Sequence, residues 1–202
     1  MNSSKRGPVI AVSGPPGGGK TTYARLIARD FGLELHSAGN IFRKIARKLG
    51  VDLEELNKLA TEDPSIDFEI DRITLELGRR GNVVVEGHLV AWVLAYTADV
   101  KIYITAPLNI RVKRIAAREG RSELEVLRET LVRENMHAKR FKDYYGFNVH
   151  DLSIFDLVID TSKLSIEEAY EVIKTFLCNK LKRLGYIEHY QRACTSQSNQ
   201  HQ

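Results

Sequence analysis

A glycine-rich loop near the amino terminus carries the most specific chemistry in this sequence. It runs from Gly14 to Thr22 and fits the spacing G-x-x-x-x-G-K-[ST] in full. Its glycines let consecutive backbone N–H groups point at phosphate oxygens, while Lys20 reaches the β- and γ-phosphates and Thr21 offers a hydroxyl to Mg²⁺. The sequence therefore predicts a site for ATP and Mg²⁺ formed by Gly14, Pro15, Pro16, Gly17, Gly18, Gly19, Lys20, Thr21 and Thr22.

A second candidate site lies in the segment Ser37-Ala-Gly-Asn-Ile-Phe-Arg43. An arginine guanidinium can donate two parallel hydrogen bonds to a phosphate group. Arg43 stands one helical turn beyond the end of a predicted strand, where parallel sheets bind ligands. It is therefore a candidate for binding the phosphate of an acceptor molecule. The alternative is that Arg43 belongs to a solvated helix face together with Lys44, Arg47 and Lys48.

From about Val9 to Leu181 the sequence resembles the archaeal type of cytidylate kinase, a family of P-loop nucleoside monophosphate kinases. The glycine-rich loop, the segment ending at Arg43 and the later segment Asp151-Leu-Ser-Ile-Phe-Asp-Leu-Val-Ile-Asp160 carry this resemblance. It implies direct transfer of the γ-phosphoryl group of ATP to CMP or dCMP. Asn40 departs from the family motif, which has an acid at that position.

The resemblance implies roles for residues that follow predicted strands. Glu86 resembles the acid that steadies Mg²⁺ through water, and a buried carboxylate needs a cation or hydrogen-bond donors nearby. Ser37 and Gly87 fall in segments that line the acceptor site. His88 stands where bacterial cytidylate kinases carry an arginine, so it either faces the phosphate or base of the acceptor or is structural. Lys163 lies in a loop that passes the adenine edge in related kinases.

Two pairs of arginines have helical spacing. Arg114 and Arg118 are four residues apart and Arg133 and Arg140 are seven apart, so each pair shares a helix face. By the resemblance, Arg114 lies against ATP, Arg118 contacts phosphate, and the later pair closes over the transferring phosphate as a short helical lid. Phosphoryl transfer requires charge stabilisation, which makes Arg118, Arg133, Arg140 and Lys20 the catalytic candidates. The alternative for each arginine is a solvated helix with glutamate partners.

The residues that read the base are the least defined part of the site. Cytosine presents an amine donor beside two acceptors, so a reader needs an acid and a donor. Asp67, Asp71 and Arg72 lie on the helix expected to wall the acceptor site, and they could equally be surface charges. The preference for CMP over UMP or AMP therefore rests on the resemblance.

Alternating strand and helix patterns position these residues and predict an α/β fold of the P-loop NTPase type, with a doubly wound, five-stranded parallel sheet. We expect a single domain over residues 1–187, with an acceptor-binding segment at about 40–80 and a lid at about 118–147. The polar tail, residues 188–202, is expected to be frayed. The predicted strands are Val9–Val12, Leu33–His36, Asn82–Glu86, Val100–Thr105 and Leu157–Asp160.

The composition of the chain limits the classes of protein to which it can belong. The chain has 202 residues, 43% of them hydrophobic, and a formal net charge of +4. No stretch approaches the roughly 18 apolar residues of a membrane span, and the start has no apolar signal core. The two cysteines lack metal-ligand spacing. We expect a cytoplasmic monomer that binds small molecules, without a membrane or nucleic-acid partner.

Two rival functions remain open at the level of sequence. A shikimate-type metabolite kinase would need an acid after the second strand to activate a hydroxyl, and that region offers Ser37, Gly39 and Asn40 instead. An ATP-gated nucleic-acid-binding protein would fit the basic balance and predicts affinity that falls steeply with salt. It leaves Arg43, Arg133 and Arg140 without convergent roles.

Overall fold

The computed structural model describes residues 6–195, apart from the side chains of residues 187–189. The elements follow in chain order: β1 (Val9–Ser13), α1 (Lys20–Phe31), β2 (Glu34–Ser37), α2 (Ala38–Leu49), α3 (Leu53–Glu62), α4 (Ser65–Arg80), β3 (Val83–Glu86), α5 (Val90–Val93), β4 (Val100–Thr105), α6 (Leu108–Glu119), α7 (Glu123–Tyr145), β5 (Leu157–Asp160), α8 (Ile166–Arg183) and α9 (Ile187–Thr195).

The five strands form one parallel sheet in the order β2-β3-β1-β4-β5, which confirms the predicted fold class. In the register of the sheet, Val12 of β1 pairs with Glu86 at the end of β3, and Glu86 also pairs with Ser37. The connection after β1 leads past β3 to β2 on one side of the sheet, whereas the connection after β3 leads past β1 to β4 on the other side. Ligands bind in parallel sheets at such a reversal point, on the carboxyl edge.

Both faces of the sheet are covered, so the central strands are apolar throughout. Ile10 and Val12 face a layer built from α1, α8 and α9. Val9 and Ala11 face the opposite layer, which includes Leu77 of α4 and the segment around α5. This alternation follows from the period of two along a strand.

Side-chain caps set the starts of the helices that border the candidate site. Ser37 accepts a hydrogen bond from the backbone N–H of Asn40, and Asp52 does the same for Glu55. Ser165 and Glu168 form a reciprocal capping box at the start of α8. The sequence patterns place β2 one residue too early and do not predict α5, a single helical turn.

The carboxyl-terminal region differs from the expected frayed tail. Residues 187–195 form α9, which Cys194 ties to Cys178 of α8 through a disulfide bond. Tyr190 packs on Phe31 with ring centroids 5.9 Å apart. The prediction was wrong for this stretch, because burial and the covalent link supply order that polar composition did not indicate. The remainder of the predicted tail, residues 196–202, lies outside the described residues.

The disulfide also bears on the expected location of the protein. Disulfides are rare in cytosolic proteins, apart from those of some hyperthermophiles. The bond between Cys178 and Cys194 therefore weakens the argument for cytoplasmic residence that rested on cysteine usage. Within residues 6–195, none of the helices has both the length and the apolar composition needed to cross a bilayer.

Candidate active site

A cleft of about 1160 Å³ runs along the carboxyl edge of the sheet. This volume exceeds the roughly 300–1,000 Å³ of most small-molecule pockets, so the cleft has room for more than one ligand. One end is lined by the glycine-rich loop and the start of α1, and the other by α3, α4 and the later turns of α7. We call these the P-loop end and the acceptor end.

Backbone geometry shapes the P-loop end. Gly14, Gly17 and Gly19 have positive φ angles of 148°, 75° and 105°, which other residues rarely adopt. A Cβ atom on Gly14 would lie 2.0 Å from the carbonyl oxygen of Ile104. Among the described residues, no side chain caps α1 at Gly19, so the first N–H groups of the helix are available to a phosphate.

Lys20 is the cation within this loop. Its ammonium donates to the carbonyl oxygen of Pro15 over 2.9 Å. Burial lowers the pKa of Lys20 to about 8, and the charge of Glu86 opposes the shift. The side chain is therefore mostly protonated near pH 7, and bound phosphates would raise its pKa again.

Thr21 and Glu86 meet beside the lysine. The Thr21 hydroxyl donates to Oε1 of Glu86 over 3.2 Å, and Glu86 is only 5% exposed. A hydroxyl and a carboxylate are the oxygen ligands that Mg²⁺ prefers. Across the described residues, no three His, Cys, Asp or Glu side chains converge on one point. A magnesium ion here would therefore complete its shell with phosphate and water oxygens.

Three further arginines lie along the cleft between the two ends. Arg43 of α2 donates to the side chain of Asn40, so the residue that replaces the family's acid orients this arginine. Arg133 of α7 lines the same cleft and has no ion-pair partner among the described residues. Arg118 pairs with the neighbouring Glu119 and is exposed. Of these three, Arg43 and Arg133 have no carboxylate partner among the described residues.

Arg114 joins the loop after β5 to the P-loop. Its guanidinium donates to the hydroxyl and the carbonyl oxygen of Thr161 over 2.9 and 2.8 Å. The Thr161 hydroxyl also lies 3.3 Å from the carbonyl oxygen of Gly18. Lys163 is not among the residues that line the cleft, whereas Leu164 is. The loop therefore borders the P-loop end, as expected, through residues other than the Lys163 side chain.

Two acids of α4 face the acceptor end. Asp67 forms an ion pair with Arg140, with Oδ2 and Nε 2.6 Å apart, and both residues are buried. Burial raises the pKa of Asp67, and Arg140 opposes the shift. Asp71 accepts a short hydrogen bond from the hydroxyl of Tyr145. Burial raises the pKa of Asp71 to about 6.

This arrangement corrects two expectations. Arg140 does not face the P-loop end with Arg133, because its buried guanidinium is engaged by Asp67 of α4. Arg72 does not face the cleft, because its exposed side chain pairs with Glu69 and Glu76 on the outer face of α4. The arginine that accompanies the acids of α4 is therefore Arg140.

The loop after β3 connects both ends. Gly87 packs so closely that a Cβ atom would lie 2.8 Å from the Cβ of Ala38. Ser37 caps α2 beside it. His88 lines the cleft and contacts His137 of α7, with 2.9 Å between their Nδ1 atoms. His88 thus has a specific polar contact, and sequence reasoning did not predict its partner.

Arg111 is a residue that sequence reasoning missed. It is 8% exposed, and its guanidinium donates to the carbonyl oxygens of Ala106 and Pro16 over 2.9 and 3.1 Å. It also forms an ion pair with Glu134 of α7. Arg111 therefore holds the P-loop to the lid helix. No motif marks it, because its partners are two backbone carbonyls and a distant glutamate.

The glycine loop, its lysine and the parallel sheet together define a P-loop phosphotransferase. A model of the cytidylate kinase-like family matches residues 9–163. The cytidylate kinase of Staphylothermus marinus is 55% identical over 174 residues, which span 86% of this chain and 98% of that protein. The cytidylate kinase of Ignicoccus hospitalis is 52% identical over 169 residues, or 84% of this chain and 98% of that one. The chain belongs to the cytidylate kinase-like family.

Solved structures support the fold alone. A gluconokinase from Sinorhizobium meliloti superposes with a TM-score of 0.56 at 14% identity, covering 93% of this chain and 99% of that one. A shikimate kinase from Acinetobacter baumannii gives a TM-score of 0.53 at 20% identity, covering 87% and 96%. Both have the P-loop kinase architecture.

Proposed function

We propose that this protein is a CMP kinase, which transfers the γ-phosphoryl group of ATP to CMP and yields ADP and CDP. The observation that carries the proposal is a single cleft with Lys20, Thr21 and Glu86 at one end and Arg43 beside it, an arginine that has no carboxylate partner among the described residues. Family membership and relatives named cytidylate kinase support the same reaction.

At the P-loop end, backbone N–H groups bind the β- and γ-phosphates, and Lys20 balances their charge. Thr21 and Glu86 would hold Mg²⁺, Thr21 through its hydroxyl and Glu86 through water. A bound Mg²⁺ would supply positive charge that offsets the negative charge developing during transfer. The contact between Thr21 and Glu86 places the two oxygen ligands beside each other.

The acceptor needs no protein base. A nucleoside monophosphate carries a phosphate whose second pKa is about 6, so it is largely dianionic at neutral pH. Arg43 orients this phosphate for in-line attack, and Arg133 adds positive charge as the transition state forms. Closure of α7 over the phosphates would also exclude water, which otherwise competes as acceptor.

The acceptor end suits a cytosine base. Asp67 Oδ2 and Arg140 Nε form an ion pair yet have no well-directed hydrogen bond within the described residues. Asp71 can accept from the 4-amino group, while Arg140 can donate to the ring acceptors.

A coupled assay of ADP release tests this function. The full-length protein is assayed with ATP and Mg²⁺ against CMP, dCMP, UMP and AMP, and with shikimate as a non-nucleotide acceptor. We expect the highest kcat/KM with a cytidine monophosphate and no turnover when Mg²⁺ is replaced by a chelator. Turnover of shikimate, or equal use of AMP and CMP, would overturn the proposal.

A further inference from the structure

Arg111 of α6 joins the P-loop to the lid helix α7. Its Nε atom donates to the carbonyl oxygen of Ala106 over 2.9 Å, and Nη1 donates to that of Pro16 over 3.1 Å. The carboxylate of Glu134 on α7 faces both terminal nitrogens of the guanidinium, with 3.5 Å between Nη2 and Oε2. A guanidinium that meets a carboxylate through both nitrogens fixes the angle between the two groups as well as their distance.

The P-loop side of this connection is closely packed. A Cβ atom on Gly17 would lie 2.7 Å from the backbone oxygen of Arg111 and 2.9 Å from its Cβ, so the loop lies directly against α6. Arg111 binds the carbonyl of Pro16, and the preceding carbonyl of the loop accepts from Lys20. A shift of Glu134 relative to Arg111 is therefore a shift of α7 relative to the phosphate-binding loop.

The apolar contacts between α6 and α7 lie near the start of α7. A cluster of apolar side chains joins α6 to the first two turns of α7, and its members are Leu108, Val112, Ile115, Ala116, Val126 and Leu127. Glu134 lies about two turns beyond Leu127. Apolar contact has no preferred direction, whereas a guanidinium paired with a carboxylate has one. The Arg111–Glu134 pair therefore sets the rotation of α7 about its own axis where this helix passes the P-loop.

This rotation decides where Arg133 points. Arg133 is the residue before Glu134, so the two side chains leave the helix about 100° apart. Arg133 lines the cleft, whereas Glu134 faces Arg111 and does not line it. Both side chains belong to the same turn of one helix, so a rotation that moves one moves the other. The position of Glu134 thus determines the position of the Arg133 guanidinium.

We propose that Arg111 and Glu134 are positioning residues for phosphoryl transfer, and that their ion pair holds α7 in the rotation that directs Arg133 at the transferring phosphate. This inference rests on the proposed function. Neither residue of the pair has to touch a substrate, because the pair acts through Arg133. Charge stabilisation of a transition state depends on groups that are already in place, and a displacement of about 1 Å can lower the rate about 10²-fold.

Glu134→Gln tests the pair with little change in shape. Loss of the negative charge should lower kcat about tenfold or more, while the KM values for ATP and CMP change less than about threefold. Glu125→Gln is the matched control, because it removes the same charge from an exposed position of the same helix. Steady-state assays of CDP formation measure both variants. A kcat of Glu134→Gln within about twofold of the wild type would contradict the proposal.

A double-mutant cycle with Arg133→Ala separates positioning from a general structural role. If the pair acts through Arg133, Glu134→Gln should lower kcat less than about twofold further when Arg133 is already alanine. A merely structural pair would lower kcat by the same factor in both backgrounds, and that additive result would overturn the proposal. Arg111→Lys keeps the charge and loses the planar fork, and its effect should show the same dependence on Arg133.

Arginine side-chain NMR of the wild type, bound to ADP and CMP, keeps the proposal testable if a variant fails to fold. Rotation about the Nε–Cζ bond of Arg111 should be slow enough to give separate signals for its two Nη atoms. One averaged signal would show that the pair does not hold α7 in this complex and would sink the inference. The kinase proposal fails separately, since a wild type that forms no CDP refutes it. A wild type that forms CDP alongside an unaffected Glu134→Gln variant refutes the positioning role alone.

Discussion

The P-loop end and the acceptor end of the cleft are formed by different kinds of chemical groups. At the P-loop end the candidate phosphate donors are backbone groups and Lys20 of one continuous segment, held in shape by glycines with positive φ, and Glu86 of β3 adds a carboxylate. At the acceptor end the lining side chains come from α3, α4, α7 and the loop after β3. The P-loop end is therefore set mainly by nine neighbouring residues, whereas the acceptor end depends on four separate elements packing together.

This difference has an energetic consequence. Backbone donors at a helix start are satisfied by the phosphates and cost little to keep ready. The acceptor end instead buries an Asp67–Arg140 ion pair and His137, and it partly buries an Asp71–Tyr145 hydrogen bond. Burying polar groups costs desolvation free energy, which is offset only when every buried group has a partner. Single substitutions at the acceptor end should therefore lower the stability of the protein more, and single substitutions at the P-loop end should lower the catalytic rate more.

The largest effect is expected for Lys20→Ala. Loss of the cation within the phosphate loop should lower kcat about 10³-fold or more. The fold should persist, because the ammonium contacts only a loop carbonyl. The coupled ADP assay and circular dichroism measure the two effects. Lys113→Ala, on an exposed turn of α6, serves as the control. A folded Lys20→Ala variant with near-normal turnover would refute the kinase assignment.

Substitution of Arg133 and of Arg140, both on α7, should give a rate effect for the first and a stability effect for the second. Arg133→Ala should lower kcat about 10²-fold with a small change in either KM, because its charge acts on the transition state. Arg140→Ala should lower stability by about 3 kcal/mol, since it leaves Asp67 buried without its partner.

Steady-state kinetics and urea denaturation measure this separation, with Lys139→Ala as a control on an exposed position of the same helix. If both arginine variants lose kcat equally and neither loses stability, the two ends of the cleft are not distinct along α7.

Sequence reasoning predicted the strand, glycine loop and helix of the P-loop end in the order that the structure shows, because the determinants of these elements are local. The loop spacing, the strand before it and the helix after it appear together in one stretch of sequence. The side-chain partners at the acceptor end could not be predicted in the same way. Arg72 and Asp71 are adjacent in sequence, yet their side chains leave α4 about 100° apart, so one reaches solvent and the other the cleft. The partners Arg140, Tyr145 and His137 come from α7, some 70 residues later, and only packing brings them close.

The carboxyl-terminal helix illustrates the same limit outside the site. Polar composition predicted a frayed tail, whereas α9 is held by Cys194 and by the contact of Tyr190 with Phe31. A covalent link between two cysteines 16 residues apart leaves no periodic signal in the sequence.

Arg43→Ala should weaken acceptor binding by about ten- to hundredfold in KM for CMP, because a charge-assisted bidentate contact with phosphate is lost. The KM for ATP should change little. Asn40→Ala should give a smaller change in the same direction, since Asn40 orients the guanidinium.

Arg47→Ala is the control for this prediction, one helical turn further along α2 and outside the main cleft. An equal loss of ATP affinity in Arg43→Ala would place this arginine at the P-loop end and remove the distinction between the two sites.

The smallest expected effect is a pH dependence of stability that comes from Asp71. Its pKa is raised to about 6 in the folded protein by burial, against an ordinary value of 3.8. The folded state therefore holds a proton between these values that the unfolded chain releases, and the free energy of unfolding rises as pH falls through that window. Asp71→Asn does not titrate. The melting temperature of the wild type, relative to that of Asp71→Asn, should therefore rise by about 4–8 °C between about pH 7 and about pH 4.5.

Tyr145→Phe sharpens this last prediction, because the Tyr145 hydroxyl is the group that lowers the pKa of Asp71 against burial. Without that hydrogen bond the pKa of Asp71 should rise further, and the gain in stability should begin at a higher pH than in the wild type. Tyr144→Phe is the matched control, since the Tyr144 hydroxyl donates to the carbonyl oxygens of Ala60 and Thr61 and not to an acid. A wild-type curve parallel to that of Asp71→Asn at all pH values would show that Asp71 is solvated. The acceptor end would then be an open surface, and the contrast with the P-loop end would be lost.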